Sequence, residues 1–168
     1  MIFDTMLPAR VPSSIGVPDI QYLQHTSGST FKLGAILVYN TGEVEEAGTN
    51  PTTGIVGISL APAGQAPGYN AANSPVVSTG RQRKVAVARA NRQTVFLAGC
   101  VNNSSTRITP LISYVGNQYG VTKHGNNWFV DINKSGANQV VRVVGYDDMW
   151  GTNGGLYFKF LESTLATP

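Results

Sequence analysis

Apolar residues in this chain come in short runs, and turn-forming residues break them about every eight to twelve positions, the spacing of a β-sandwich or barrel. The pattern is clearest from Phe31 to Leu60. Ala35-Ile36-Leu37-Val38-Tyr39 is a short, partly β-branched strand. Asn40-Thr41-Gly42 is turn chemistry, because glycine takes positive φ at no steric cost and asparagine tolerates it. Glu43-Val44-Glu45 alternates as a strand with one wet face should. Gly48-Thr49-Asn50-Pro51 turns again, and Gly54 to Leu60 forms a third strand whose glycines mark a bulge or a close backbone approach.

The same reading extends along the chain. Residues 81–101 read as a strand pair, with a turn at Asn91-Arg92 and a buried strand over Thr94–Ala98. Strands follow over Pro110–Val115, Gln118–Thr122, Trp128–Ile132, Gln139–Gly145 and Gly154–Phe160, with turns at Gly116-Asn117, His124–Asn127 and Lys134–Asn138. The echo of Gly54-Ile55-Val56-Gly57 in Val143-Val144-Gly145 is compatible with an internal duplication. Residues 61–80 are a long Pro/Gly/Ala/Asn loop of the kind that is usually functional or mobile. Residues 1–30 differ from the rest. Pro8, Pro12 and Pro18 break any helix, yet Ile2, Phe3, Met6 and Leu7 are too apolar for a solvated tail. This segment is expected to be an extended arm, docked on the edge of its own barrel or on a neighbouring subunit. The predicted architecture is all-β: a small β-barrel or β-sandwich over 31–168 as one domain, with an N-terminal arm over 1–30.

Composition sharpens this picture. Only 12% of the 168 residues are charged, while Gly (19) and Pro (9) are frequent. Long amphipathic helices are hard to build from such a chain, whose polar surface must come from Asn, Thr, Ser and Gln. The net charge of +3 permits an acidic partner. Five of the 12 Lys and Arg residues fall between Arg81 and Arg92, a local basic patch. Nucleic acid would call for more charge with interleaved aromatics, and only Phe96 is nearby, so no nucleic-acid partner is expected. No apolar run reaches the roughly 18 residues of a membrane span, and the N-terminus lacks the pattern of a signal peptide.

Candidate chemistry is sparse. Cys100, the single cysteine, reads as a small buried hydrophobe on a strand. His25 and His124 read as exposed loop residues, without partners at metal or triad spacing. Asp147 and Asp148 read as turn residues, not as a carboxylate pair, because neighbours on a strand face opposite ways. Trp128, Trp150, Tyr146 and Tyr157 could form a sugar-stacking platform, although core packing is the commoner fate of strand aromatics. No catalytic residue, metal or cofactor is assigned, and the chain does not read as an enzyme.

One stretch also carries a family resemblance. Gly34-Ala-Ile-Leu-Val-Tyr39, Gly42-Glu-Val44, Ala47, Gly54-Ile-Val-Gly57-Ile-Ser59 and Ala63-Gly64 resemble the small β-barrel unit of tailed-phage head decoration (cement, or auxiliary capsid) proteins. The resemblance covers about a fifth of the chain well. It implies a structural virion protein, made in the host cytoplasm and placed on the capsid exterior, that clamps neighbouring subunits of the major capsid protein. It also implies self-association, for which a homotrimer is one form. On that reading Ile2, Phe3, Met6, Leu7, Arg10, Arg81, Arg83 and Lys84 are the expected capsid-binding residues, the arm acting by strand addition. Two alternatives stand beside it: a self-assembling coat or tail-associated β-domain of a virion, and a carbohydrate-binding β-module.

Overall fold

A computed structural model describes residues 7–8, 19–63 and 84–166, the first pair as backbone only. Among the described residues most of the β-branched and aromatic runs settle into strands. In chain order these are β1 (Leu7–Pro8), β2 (Ile20–Gln24), β3 (Ile36–Asn40), β4 (Glu43–Glu46), β5 (Ile55–Ser59), β6 (Lys84–Arg89), β7 (Phe96–Ala98), β8 (Cys100–Val101), β9 (Arg107–Ile108), β10 (Gln118–His124), β11 (Asn127–Asp131), β12 (Val141–Asp147) and β13 (Gly155–Phe160). Among the described residues the only helices are single 3₁₀ turns. The chain is therefore all-β, as its patterning requires.

Five strands form the first unit, in the order β2-β6-β5-β3-β4. Its two edges meet at one end. His25, just past β2, makes a parallel bridge with Val44 of β4, and the Thr26 N–H donates to the Val44 carbonyl at 2.9 Å. Alternate side chains point inward, so Leu37, Val44, Val56, Val85 and Val87 fill the interior with Phe31 as a plug. The buried Ser59 hydroxyl donates to the Lys32 carbonyl at 2.9 Å and accepts the Ala35 N–H at 3.0 Å, holding the plug segment. Gly57 is required by a close approach: a Cβ there would lie 2.1 Å from the Ala88 carbonyl oxygen.

The second unit closes through one bent strand. β7 and β8 are separated only by Gly99; β7 pairs with β13, and β8 pairs in parallel with β11. With β13-β12-β10-β11 between them, these strands complete a ring, and β1 and β9 flank it at the ends of the sheet. Phe96, Phe158 and Phe160 pack edge-on or tilted at its centre, with centroids 5.5 to 5.9 Å apart.

The two units share one core. Ile36, Ile55, Ile58 and Ala88 on the outer wall of the first unit belong to the same cluster as Phe96, Trp128 and Phe158 of the second. Polar bonds rim this wall. The Trp128 indole N–H donates to Glu46 Oε1 at 3.1 Å, and Lys123 Nζ lies 2.8 Å from Glu46 Oε2. The Lys123 N–H donates to the Thr49 carbonyl at 3.1 Å, and Lys134 Nζ reaches Asn50 Oδ1.

Four expectations change, and the sequence echo gains a local structural cause. Ile20–Gln24, inside the expected arm, is a strand of the first unit, because Leu23 packs into that unit's interior cluster. The strands over 84–98 do not pair with each other: β6 lies in the first unit and β7 in the second. Asn91 Oδ1 makes the bend between them by accepting the Gln93 N–H, the Thr94 N–H and the Thr94 hydroxyl at 2.8 to 2.9 Å. Pro110–Val115 is no strand but contains a 3₁₀ turn, Ile112–Tyr114, since Pro110 has no N–H to give and Gly116 turns the chain at φ 88°. His25 is buried, its ring edge-on to Phe31 at 5.7 Å and its Nδ1 3.0 Å from the Thr26 carbonyl. The sequence echo marks a shared local device: Val56 and Val144 each interrupt the ladder register just before a glycine, and both are β-bulges.

The β3–β4 hairpin differs in one detail with a measurable consequence. Thr41 (φ 48°) and Gly42 (φ 86°) both take positive φ, the type I′ geometry, so the strained position is Thr41 and not Asn40. The Asn40 amide instead donates to Glu45 Oε2 at 2.9 Å. A β-branched residue in the left-handed region costs on the order of 1 kcal/mol. Thr41→Asn should therefore stabilise the chain by about 1 kcal/mol and raise its melting temperature by about 2–4 °C, measured by thermal and urea unfolding. An unchanged or lower midpoint would remove this account of the turn.

Candidate functional site

Among the described residues no three His, Cys, Asp or Glu side chains come together as a metal site needs. The Asp147 carboxylate accepts the Met149 N–H at 3.0 Å, which makes it part of a turn. Cys100 is buried on β8, and its thiol donates to the Ile108 carbonyl at 3.2 Å. Burial pushes its pKa up from 9.0 to about 11, against a smaller opposing pull from the Arg107 charge. At neutral pH such a thiol is protonated and is a poor nucleophile. No helix among the described residues is long and apolar enough to cross a membrane.

What does stand out is apolar surface on the second unit. Ile112 is 71% exposed, Met149 84% and Trp150 54%, and Leu111, Val115 and Val144 are also open to solvent. Three segments carry these residues, and each is held in place. The Gly116 N–H donates to the Val143 carbonyl at 2.9 Å, fastening the 3₁₀ turn to β12. Tyr114 turns inward and meets Tyr119 edge-on at 6.1 Å, anchoring that turn while Leu111 and Ile112 face outward. Val144 is the extra residue of the β12 bulge, which puts it outside while Val143 stays buried. Gly154 joins the third segment: a Cβ there would lie 3.0 Å from Pro110 Cγ and 2.0 Å from the Asp147 carbonyl oxygen. The Arg107 guanidinium donates to the carbonyls of Asn153 and Gly154 at 3.1 and 3.0 Å, fixing the loop that carries Met149 and Trp150.

The chain around the first of these segments carries no charge. No Asp, Glu, Lys or Arg occurs from Ile108 to Thr122, and Asp147 and Asp148 stand at the border of the Met149–Trp150 loop. Met and Trp are side chains enriched at protein interfaces, whose cores are depleted of charge.

Of the expected capsid-binding residues, the structure describes Lys84 and the backbone of Leu7. Ile2, Phe3, Met6, Arg10, Arg81 and Arg83 are outside the described residues, as is the expected loop from residue 64 onward. The backbone of Leu7 pairs with Leu97 on β7 of the same chain. Lys84 opens β6 on the first unit, exposed and opposite Gln24. The aromatic platform is not assembled either, because Trp128 is in the core and only Trp150 is open. Sequence reading missed Leu111, Ile112 and Val115 as surface because their run looks like a buried strand. The signal against a strand is the proline and the glycine six positions apart at its ends. Comparison with family models, curated proteins and solved structures finds no match for this chain.

The Cys100 environment is open to test. Its raised folded-state pKa means stability is intact below about pH 9 and is lost as pH rises toward about 11, where the unfolded thiol ionises and the folded one resists. In urea unfolding at stepped pH, the native chain should lose more stability between pH 9 and 11 than Cys100→Ala does. Equal losses would show that the thiol is not the group responsible.

Proposed function

We propose that this chain is a structural particle protein that docks on a preformed protein shell, of the kind that decorates and reinforces tailed-phage heads. The observation that carries this reading is the set of exposed apolar side chains Ile112, Met149 and Trp150, borne on backbone segments that are hydrogen-bonded in place. A face of this kind gains affinity by removing apolar area from water, about 25 cal/mol per Å², and loses little to ordering because its backbone is already bonded in place. The resemblance of residues 34–64 to decoration-protein barrels supports the same reading, and that stretch supplies β3, β4 and β5 of the first unit, whose two edges meet at one end. The N-terminal arm and the basic residues Arg81, Arg83 and Lys84 would supply further contacts to an acidic shell surface, and many copies on one lattice would make modest contacts durable.

Co-sedimentation with undecorated phage heads tests this reading. The native chain should pellet with heads, whereas Ile112→Lys and Met149→Lys should weaken attachment at least about tenfold, each charge having to be desolvated on docking. Both side chains are exposed, so melting temperatures should stay within about 2 °C of the native value, in line with ordinary surface substitutions. Failure of the native chain to bind heads, or attachment unaffected by both substitutions, would overturn the proposal.

A further inference from the structure

Among the described residues β2 is an edge strand, bridged on its outer side only past its end, at His25. The Arg89 N–H donates to the Asp19 carbonyl at 2.8 Å, and the ladder pairs Gln21 with Val87 and Leu23 with Val85. In an antiparallel ladder hydrogen bonding alternates along the strand, so the odd residues of β2 bond to β6. Ile20 and Tyr22 then turn their N–H and C=O groups away from β6. β4, which meets the end of β2, begins only at Glu43, beside Gln24: Gln24 Nε2 donates to Glu43 Oε1 at 2.6 Å. Among the described residues no strand lies beside Ile20–Leu23. The side chains at the same two positions are apolar and exposed, Ile20 by 46% and Tyr22 by 55%. Natural edges are usually blunted by lysine, proline or a bulge. Ile20-Gln21-Tyr22-Leu23-Gln24 has no charge, no proline and an unbroken register.

We propose that this edge pairs with the same edge of a second copy, β2 against β2 antiparallel, about a twofold axis at Gln21. The choice of partner follows from the register. An axis at Gln21 sets Ile20 opposite Tyr22 of the second copy, and Tyr22 opposite its Ile20. These are the residues whose backbone groups point outward, so both make full hydrogen-bonded pairs. Each pair also joins a β-branched to an aromatic side chain on one face, a favourable cross-strand combination. Asp19 then falls opposite Leu23 of the second copy, so the carboxylates do not confront each other. An isologous interface sets a patch against itself, and an uncharged strand is one that can do so without repulsion. The pairing joins first units, whereas the apolar face lies on the second, so it goes beyond the docking reading and does not depend on it.

Cross-linking of the full chain tests the register. At the axis, two residues in a non-hydrogen-bonded pair have Cα atoms about 4.5 Å apart, within the range a disulfide spans. Asp19 and its counterpart are offset by four residues, about 14 Å, which is too far. Under mild oxidation Gln21→Cys should form a covalent dimer at least about tenfold faster than Asp19→Cys. Sedimentation velocity should show a concentration-dependent dimer of the native chain that Tyr22→Lys abolishes, with little change in melting temperature because Tyr22 is exposed. A native chain that stays monomeric, a dimer that survives Tyr22→Lys, or equal cross-linking at the two cysteine positions would overturn the proposal.

Discussion

The outer wall of the first unit has to be covered, and the second unit is what covers it. β5 is buried at all five positions, with Ile55 and Ile58 turned toward the second unit while Val56 and Gly57 fall on the bulge facing the interior side. A strand buried on both faces cannot stand alone in water, because each apolar side chain left open would forfeit on the order of 2 kcal/mol. The contact is also polar at its rim. Glu46 is a partly buried carboxylate that receives both the Trp128 indole and the Lys123 ammonium. Removing either donor would strand part of a carboxylate at a dry seam, which costs more than the bond itself contributes. Apolar contact supplies the attraction here, and Glu46 ties the two units together at its rim.

Small closed sheets need tight corners, and the chain makes them at a few glycines and two bulges. Gly57 lets β5 approach Ala88, and Gly99 lets one strand serve both β13 and β11 while leaving room for the Arg107 guanidinium. The two bulges have different consequences. Val56 stays inside the first unit's core, whereas Val144 is turned out to solvent and joins the exposed apolar residues. The bulge in β12 is thus a structural cause of the surface on which the docking proposal rests. The turn that bears Ile112 and the loop that bears Met149 and Trp150 are tied to this ring by the Gly116–Val143 and Arg107–Gly154 hydrogen bonds.

The two proposed contact surfaces differ in physical kind. The face on the second unit offers side chains and suits a partner with its own apolar surface. The edge on the first unit offers backbone groups and suits an extended strand. Under the two proposals together, one surface would serve attachment to a shell and the other pairing with a second copy.

The sequence by itself determined the class of structure. Period-two runs, β-branched residues and frequent Gly and Asn turns leave an all-β chain with little helix, and the strands at 36–40, 43–46, 55–59, 118–124, 127–131 and 155–160 are legible from their residues. Burial of Cys100 was legible for the same local reason. The choice of partner for each strand was decided only in three dimensions. Nothing local tells β6 and β7 to join different units, since an Asn91 turn would serve a hairpin equally well. His25 looks like a loop residue until β4 bridges it. Leu111, Ile112 and Val115 read as core because apolar residues usually are, and only the 3₁₀ turn between Pro110 and Gly116 leaves them outside. The reason is common to all three cases: an apolar or uncharged side chain specifies that it prefers cover, while the rest of the fold decides whether cover is there.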